Sequence, residues 1–304
     1  MKQPSYYFSP TLLDLFYNLC ESDTIYEKYY GRSETPELTA EEFHEAKYHE
    51  LIDRINNVRK PTTEAQAKGT CLNEIVDCII KKKPSTNESV IIKTIRTQED
   101  FFDVVLSRYN SETEENKKQV ISQASELLAK IGKPFIYTRL EEFEFFFDVD
   151  FCKNIAKYFE DCICQFYTSA NLETRKGVVE LHGYLDYFRM KTIFDLKTCR
   201  SYSFGNYAHY NQRFAYPYCM IESGMMTGVQ EVEFVAYKLI GGNSRSPLIT
   251  GEQNREVYTY NHDEGIKVLN QTCERFIDFI NDNMEKIDKS KTKIFGKICQ
   301  TLRL

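Results

Sequence analysis

The segment VVELHGYLDYFRMKTIFDLK (residues 178–197) decides how this chain is read. Gly183-Tyr184-Leu185-Asp186 is followed, nine residues after Asp186, by Asp195-Leu196-Lys197. The neighbours of Asp195, Thr192-Ile193-Phe194 and Thr198-Cys199, are β-branched, apolar or small, which predicts a strand. On a strand alternate side chains share a face, so Asp195 and Lys197 point into one site while Leu196 turns into the core. Two carboxylates and an amine converging on one site suit a divalent metal and a water that attacks a phosphodiester. The carboxylates hold a hard cation, the cation lowers the pKa of its water, and the lysine stabilises developing charge.

These residues resemble motifs II and III of the PD-(D/E)xK nucleases. Two further segments extend the resemblance to the RecB-like, λ exonuclease-like branch. Upstream, Lys68-Gly69-Thr70-Cys71-Leu72-Asn73-Glu74 is similar to motif I, in which Gly-Thr opens a helix carrying a metal ligand. Downstream, Gln212-Arg213-Phe214-Ala215-Tyr216 is similar to the branch's Gln-x-x-x-Tyr motif. All four elements stand in the family's order. The resemblance implies a restriction-endonuclease-like α/β core, with a central mixed sheet flanked by helices and helical additions around it.

The family register departs at one position, where Asn73 stands in place of the usual His. Asn ligates a hard cation through its amide oxygen, and Glu74 next to it offers an anionic one. Adjacent helical residues diverge by about 100°, so only one of the two reaches a given metal. Register favours Asn73 and ligand charge favours Glu74; the second consideration weighs slightly more from sequence alone.

Composition bounds the remaining choices. The chain has 304 residues and 42% hydrophobic content, enough for one sizeable core. No apolar run reaches the about 18 residues of a membrane span, and Asp14 interrupts the only apolar stretch near the N-terminus. The expectation is a cytoplasmic protein with no membrane partner. The ten cysteines contain no Cys-x-x-Cys pair. Cys273 and Cys299 are too few and too far apart for the iron–sulfur cluster that some RecB-like nucleases carry, so reduced thiols and no cluster are expected. A net charge of −6 argues against a nucleic-acid-coating role but allows a local basic cleft. Arg189, Lys191, Arg200 and Arg213 surround the two aspartates and are candidate DNA-phosphate contacts, and a basic tail follows residue 287.

Patterning along the chain predicts one domain, which the resemblance implies is a nuclease. Its parts are a helical cap over 1–60, a motif I helix over 63–83 and a mainly helical insertion over 84–171. A catalytic core with a closing helix over 172–287 and the basic tail over 288–304 complete it. Within the core the reading gives a strand at 177–182 and a turn into Asp186. The Asp195 strand follows, then a helix from about Phe204 to Tyr216 that Pro217 bends or ends, and strands at 231–240 and 256–260. The aromatic run Phe143–Phe147 is expected in the core, because clustered phenylalanines are costly to expose. His44 and His49 are expected at the surface, and His182 as a buried, hydrogen-bonded residue.

Together these readings predict a Mg²⁺- or Mn²⁺-dependent DNA exonuclease of recombination or repair, of phage or mobile-element type. Asp186, Asp195, the Leu196 carbonyl and either Asn73 or Glu74 would hold the metal. Lys197 would position the water, and Gln212 and Tyr216 would steady Lys197 or the phosphate. Homo-oligomers or a recombination partner protein fit the same reading. The rival from another class is a catalytically silent nucleic-acid-binding module of the same fold.

Overall fold

The computed structural model describes residues 3–31, 33–107 and 114–295. In chain order the elements are β1 (Tyr6–Phe8), α1 (Pro10–Cys20), α2 (Ser22–Tyr30), α3 (Ala40–Ile55), α4 (Glu64–Lys81) and β2 (Val90–Ile95). Next come α5 (Gln98–Leu106), α6 (Glu114–Ile131), β3 (Phe135–Leu140), β4 (Phe143–Asp148), α7 (Val149–Tyr158) and β5 (Ile163–Thr174). The chain continues with β6 (Gly177–Arg189), β7 (Thr192–Cys199), α8 (Gln212–Glu222), β8 (Glu231–Ile240), β9 (Leu248–Thr259) and α9 (His262–Asp282).

One mixed sheet organises the molecule, in the order β1-β6-β7-β8-β9-β4-β3-β2, with β5 also on β6. The β1–β6, β7–β8 and β4–β9 pairs are parallel and the others antiparallel. Helices cover both faces, which makes the fold α/β. On one face α4 and α7 pack Ala67, Leu72, Ile75 and Ile155 against Phe194, Leu196, Val235 and Tyr237. On the other, α8 packs Tyr216 and Met220 against Leu185, Ile193, Phe234 and Ala236. Alternation along β7 and β8 therefore feeds two cores at once, as a sheet buried on both sides requires.

The N-terminal helices α1 and α3 join α8 and α9 in a third cluster over the β1 end of β6. In α9 the buried apolar stripe is Leu269, Cys273, Phe276, Ile277 and Ile280. The motif I helix begins one residue later than expected, because Thr63 and Gln66 cap each other's backbone N–H groups at 3.3 and 3.0 Å.

Further expectations differ from the structure; the strand expected at 256–260 is the end of β9, which begins at Leu248. The 84–171 stretch carries four strands (β2, β3, β4 and β5) beside its three helices. Three of these four, β2, β3 and β4, extend the sheet beyond β9. The Phe143–Phe147 run is strand β4, with Phe145 and Phe147 buried; the Phe145–Phe147 triplet breaks the alternation and blurs the strand period. Strand β6 runs unbroken through Asp186 and turns only at Met190 and Lys191. Finally, α8 starts at Gln212 rather than near Phe204, and continues past Pro217 to Glu222. Residues 204–211 are turns closed by bonds such as Ala208 N–H to the Gly205 carbonyl at 3.3 Å. Cys299 and the tail beyond residue 295 lie outside the described residues.

Candidate active site

Strand β6 frames the site. One of its edges pairs with β5 along almost its whole length, from Gly177 opposite Thr174 to Phe188 opposite Ile163. Its other edge is shared: β1 takes Val179–Leu181 and β7 takes Tyr187–Arg189. Between them, residues 182–186 have no strand neighbour on that edge among the described residues. The β6–β7 hairpin thus opens like a fork after the Tyr187–Phe194 pair, and the next step of the same register sets Asp186 opposite Asp195.

Backbone groups left at the fork need partners. The Leu196 N–H donates to Asp186 Oδ2 at 2.9 Å. A residue's N–H and C=O leave a strand on the same edge, so the Leu196 carbonyl also faces the fork. Leu196 itself packs in the α4 core, while Asp195 and Lys197 turn to the α8 face, as the alternation predicts. Lys197 Nζ lies 2.6 Å from Asp195 Oδ2 and donates to Gln212 Oε1 at 2.9 Å. The Lys197 ammonium also sits 5.6 Å from the centroid of the Tyr210 ring.

Gln212 and Tyr216 occupy successive turns of α8 and share a face. A Cβ built on Gly183 would lie 2.9 Å from Tyr216 Cε1, so glycine at 183 lets the tyrosine ring lie directly on the bare edge of β6. Burial, then the charges of Asp195 and Asp186, push the Tyr216 hydroxyl pKa up, which keeps it a neutral donor beside the two carboxylates.

One participant escaped the sequence reading. Asp14, on α1, accepts from the Asn211 backbone N–H at 2.6 Å and from Asn211 Nδ2 at 3.0 Å. Asn211 is the N-cap of α8, so Asp14 fixes the end of the helix that presents Gln212 to Lys197. Its only sequence signal was a carboxylate in the otherwise apolar run from Leu12 to Phe16.

The electrostatics are one-sided. Burial first, and Asp195 second, raise the Asp186 pKa to about 7 against the opposing pull of Lys197 and the Leu196 N–H. Burial also raises Asp14 to about 6, with Asn211 and Lys197 opposing. Burial works to lower the Lys197 pKa, but Asp195 and Asp186 outweigh it, so the ammonium stays charged. Asp186 and Asp14, both raised chiefly by burial, and Asp195 thus share the single ammonium of Lys197, a donor balance that suits an added cation.

Helix α4 supplies the other wall. Gly69, Asn73 and Asp77 fall on one stripe of it, four residues apart. A Cβ on Gly69 would lie 3.0 Å from Thr198 Oγ1 of β7, and Asp77 Oδ1 accepts from the Tyr187 hydroxyl of β6 at 2.9 Å. Asn73 lies between these two contacts on the stripe facing the fork, and its buried Oδ1 has no hydrogen-bond partner. Glu74 is engaged elsewhere: its Oε2 accepts from Ser85 Oγ at 2.7 Å in the turn after α4. Among the described residues no group of three His, Cys, Asp or Glu side chains converges as a metal site. Asp186, Asp195 and the Leu196 carbonyl give the fork oxygen donors only, and Asn73 adds an unpartnered amide oxygen on the α4 stripe; donors of this kind suit a hard cation.

Of the expected site residues, the structure brings together Asp186, Asp195, Leu196, Lys197, Gln212 and Tyr216. The basic residues divide. Arg189 Nη1 donates to the Glu160 carbonyl at 2.6 Å. Arg213 Nη1 donates to the Ala208 carbonyl at 2.7 Å, with its guanidinium 4.4 Å from the Tyr258 ring centroid. Both are spent on structure, whereas Lys191 and Arg200 are exposed. His44 and His49 are exposed, as expected. His182, on the bare edge of β6, has a buried Nδ1 without a hydrogen-bond partner, contrary to expectation.

No helix among the described residues is long and apolar enough to cross a membrane. No family model and no curated protein matches the chain. Among solved structures, the chain is similar to the crystal structure of SSO0001 at 10% identity and a TM-score of 0.28, over 68% of this chain and 85% of that one. It is also similar to Scheffersomyces stipitis Rai1 at 11% identity and a TM-score of 0.19, over 91% of this chain and 77% of that one.

Proposed function

We propose that this protein is a divalent-metal-dependent DNA nuclease of the RecB-like PD-(D/E)xK kind, an exonuclease of recombination or repair acting on phosphodiester bonds. The observation that carries the reading is the fork itself: Asp186 and Asp195 opposed across β6 and β7, with Lys197 held between Asp195 and Gln212. When bound, Mg²⁺ or Mn²⁺ supplies a Lewis acid and a water of lowered pKa. Asp186, Asp195, the Leu196 carbonyl and the Asn73 amide oxygen would hold the cation. Lys197, kept charged by its carboxylate neighbours, orients the attacking water and neutralises charge growing on the phosphoryl oxygens. Gln212 fixes the direction of the Lys197 ammonium, and the neutral Tyr216 hydroxyl donates toward the carboxylates or the phosphate. Asp14 positions the start of α8 and contacts no reacting atom.

Incubating the purified protein with linear and with circular DNA, in Mn²⁺ or in EDTA, tests this reading. Degradation of linear DNA alone, in Mn²⁺ alone, is the expected result. Binding of DNA without cleavage in Mn²⁺ would replace it with the silent-module reading.

A further inference from the structure

We infer that Tyr29 and Phe204 form a stacking rim for unpaired bases, which makes single-stranded DNA, or a frayed end, the substrate of the carboxylate site. This deepens the nuclease reading and rests on it. Both rings face solvent: Phe204 is 84% exposed and Tyr29 is 65% exposed. A single exposed aromatic is ordinary on a protein surface. This pair is distinguished by how firmly its supports are built.

Phe204 sits on the turn that follows β7, and Glu256 of β9 clamps that turn from beneath. The Glu256 carboxylate, only 1% exposed, accepts from Tyr202 Oη at 3.0 Å, from the Gly205 N–H at 3.0 Å and from the Tyr207 N–H at 3.4 Å. The Tyr258 hydroxyl donates to the same carboxylate. Tyr207 then stacks on Phe234, with ring centroids 5.1 Å apart, and is itself buried. The backbone on either side of Phe204 is thus anchored to the core while its side chain is left out. Burying a carboxylate without a basic partner is costly, and here it fixes an apolar ring in water. A ring whose backbone is already ordered loses little entropy when a base stacks on it.

Helix α2 closes the other side. Lys28 Nζ donates to Asn206 Oδ1 at 2.9 Å and lies 5.7 Å from the Tyr29 ring centroid. One lysine therefore links the Phe204 turn to the Tyr29 helix. Tyr207, on the Phe204 turn, has its ring centroid 5.3 Å from that of Tyr210, and the Tyr210 ring lies 5.6 Å from Lys197 Nζ. The rim accordingly borders the catalytic fork. Exposed Arg200, four residues before Phe204, and Lys28 supply positive charge for a backbone passing over the rings.

Chemistry then selects the strand form. Bases inside a duplex hide their faces, so exposed rings gain only from unpaired or terminal bases. With a net charge of −6 and two of the four flanking arginines and lysines tied to carbonyls, phosphate attraction alone is weak. Stacking supplies a contribution that salt does not screen.

The test is fluorescence anisotropy of the full chain in EDTA. The probes are labelled oligothymidylate of about 16 nucleotides, a blunt duplex and an oligouridylate of the same length. The wild type should bind oligothymidylate more tightly than duplex. Phe204→Ala and Tyr29→Ala should each weaken single-strand binding by about 5- to 150-fold, the range for one stacked base, and leave duplex binding within about two-fold. Phe204→Trp should retain affinity and Phe204→Leu should fall with the alanine variant, because the requirement is a π face. Unchanged affinity in both alanine variants, rescue by leucine, or a wild-type preference for duplex would overturn the rim. Binding of oligouridylate alone would overturn the assignment to DNA. If the wild type degrades DNA while the variants bind as it does, the rim fails and the nuclease reading stands; if the wild type neither binds nor cleaves, both fail.

Discussion

Leu196 donates its backbone N–H to the Asp186 carboxylate at 2.9 Å, where a strand neighbour's carbonyl would ordinarily accept it. This one bond ties the fork in the sheet to the chemistry. Past the Tyr187–Phe194 pair the two strands no longer exchange backbone hydrogen bonds, and the carboxylate of one strand satisfies the amide of the other. Asp186 is thereby fixed by the backbone through one of its two carboxylate oxygens.

Asn73 rather than Glu74 should be the α4 ligand. Asn73 presents an orphaned buried oxygen on the stripe facing the fork, while Glu74 is bonded to Ser85. Titrating Mn²⁺ and following the loss of its free-ion magnetic resonance signal checks this without activity. Asn73→Ala should raise the half-saturating Mn²⁺ concentration by about tenfold, in line with loss of one supporting ligand, and Glu74→Gln should leave it unchanged. The reverse pattern would restore the ligand that charge alone favours.

Gly183→Ala should damage the site without touching a charged group. The new methyl carbon would meet the Tyr216 ring at 2.9 Å, so α8 must shift and carry Gln212 away from Lys197. Overpacking of this kind costs about 1–3 kcal/mol. Thermal unfolding should show that loss, and turnover should fall by more than DNA affinity.

Asp14 sets a pH dependence. Its folded-state pKa is raised from 3.8 to about 6, so the folded state binds the proton more tightly than the unfolded one. Its contribution is most favourable below pH 3.8 and is lost as pH rises through about 6. Asn at this position keeps an oxygen for the Asn211 N–H without the buried charge. Metal-free Asp14→Asn should therefore be more stable than wild type at pH 8, by on the order of 1–3 kcal/mol, with the advantage vanishing near pH 4. Turnover should nevertheless fall, because the neutral amide holds Asn211, and with it the start of α8 that presents Gln212 to Lys197, less firmly.

Much of the site was legible in sequence because it obeys the simplest rule, alternation on one strand. Asp195, Leu196 and Lys197 divide between the faces of β7 as their spacing requires, and Gln212 and Tyr216 share a helical face. Helix α8 was misplaced because Gly205, Asn206 and the surrounding tyrosines carry no period of their own; their conformation is set by Glu256, distant in sequence. Pro217 reads as a helix end, yet it falls in the second turn of α8, where it removes one backbone bond and its ring is buried. Strand β4 is blurred in sequence because Phe145, Phe146 and Phe147 follow one another without alternation. Asp14 and Glu256 were invisible as site builders because their partners, Asn211 and the 202–207 turn, meet them only in the folded chain.

Comparing wild type, Asp195→Ala and Lys197→Ala for degradation of linear DNA in Mn²⁺ puts the fork itself to trial. Wild type should degrade the DNA, and Asp195→Ala should not, with an unchanged circular dichroism spectrum. Lys197→Ala should bind DNA as before but turn over about 10²- to 10³-fold more slowly, since its charge acts in the transition state. Equal degradation by all three proteins would place the chemistry outside Asp186, Asp195 and Lys197 and contradict the assignment.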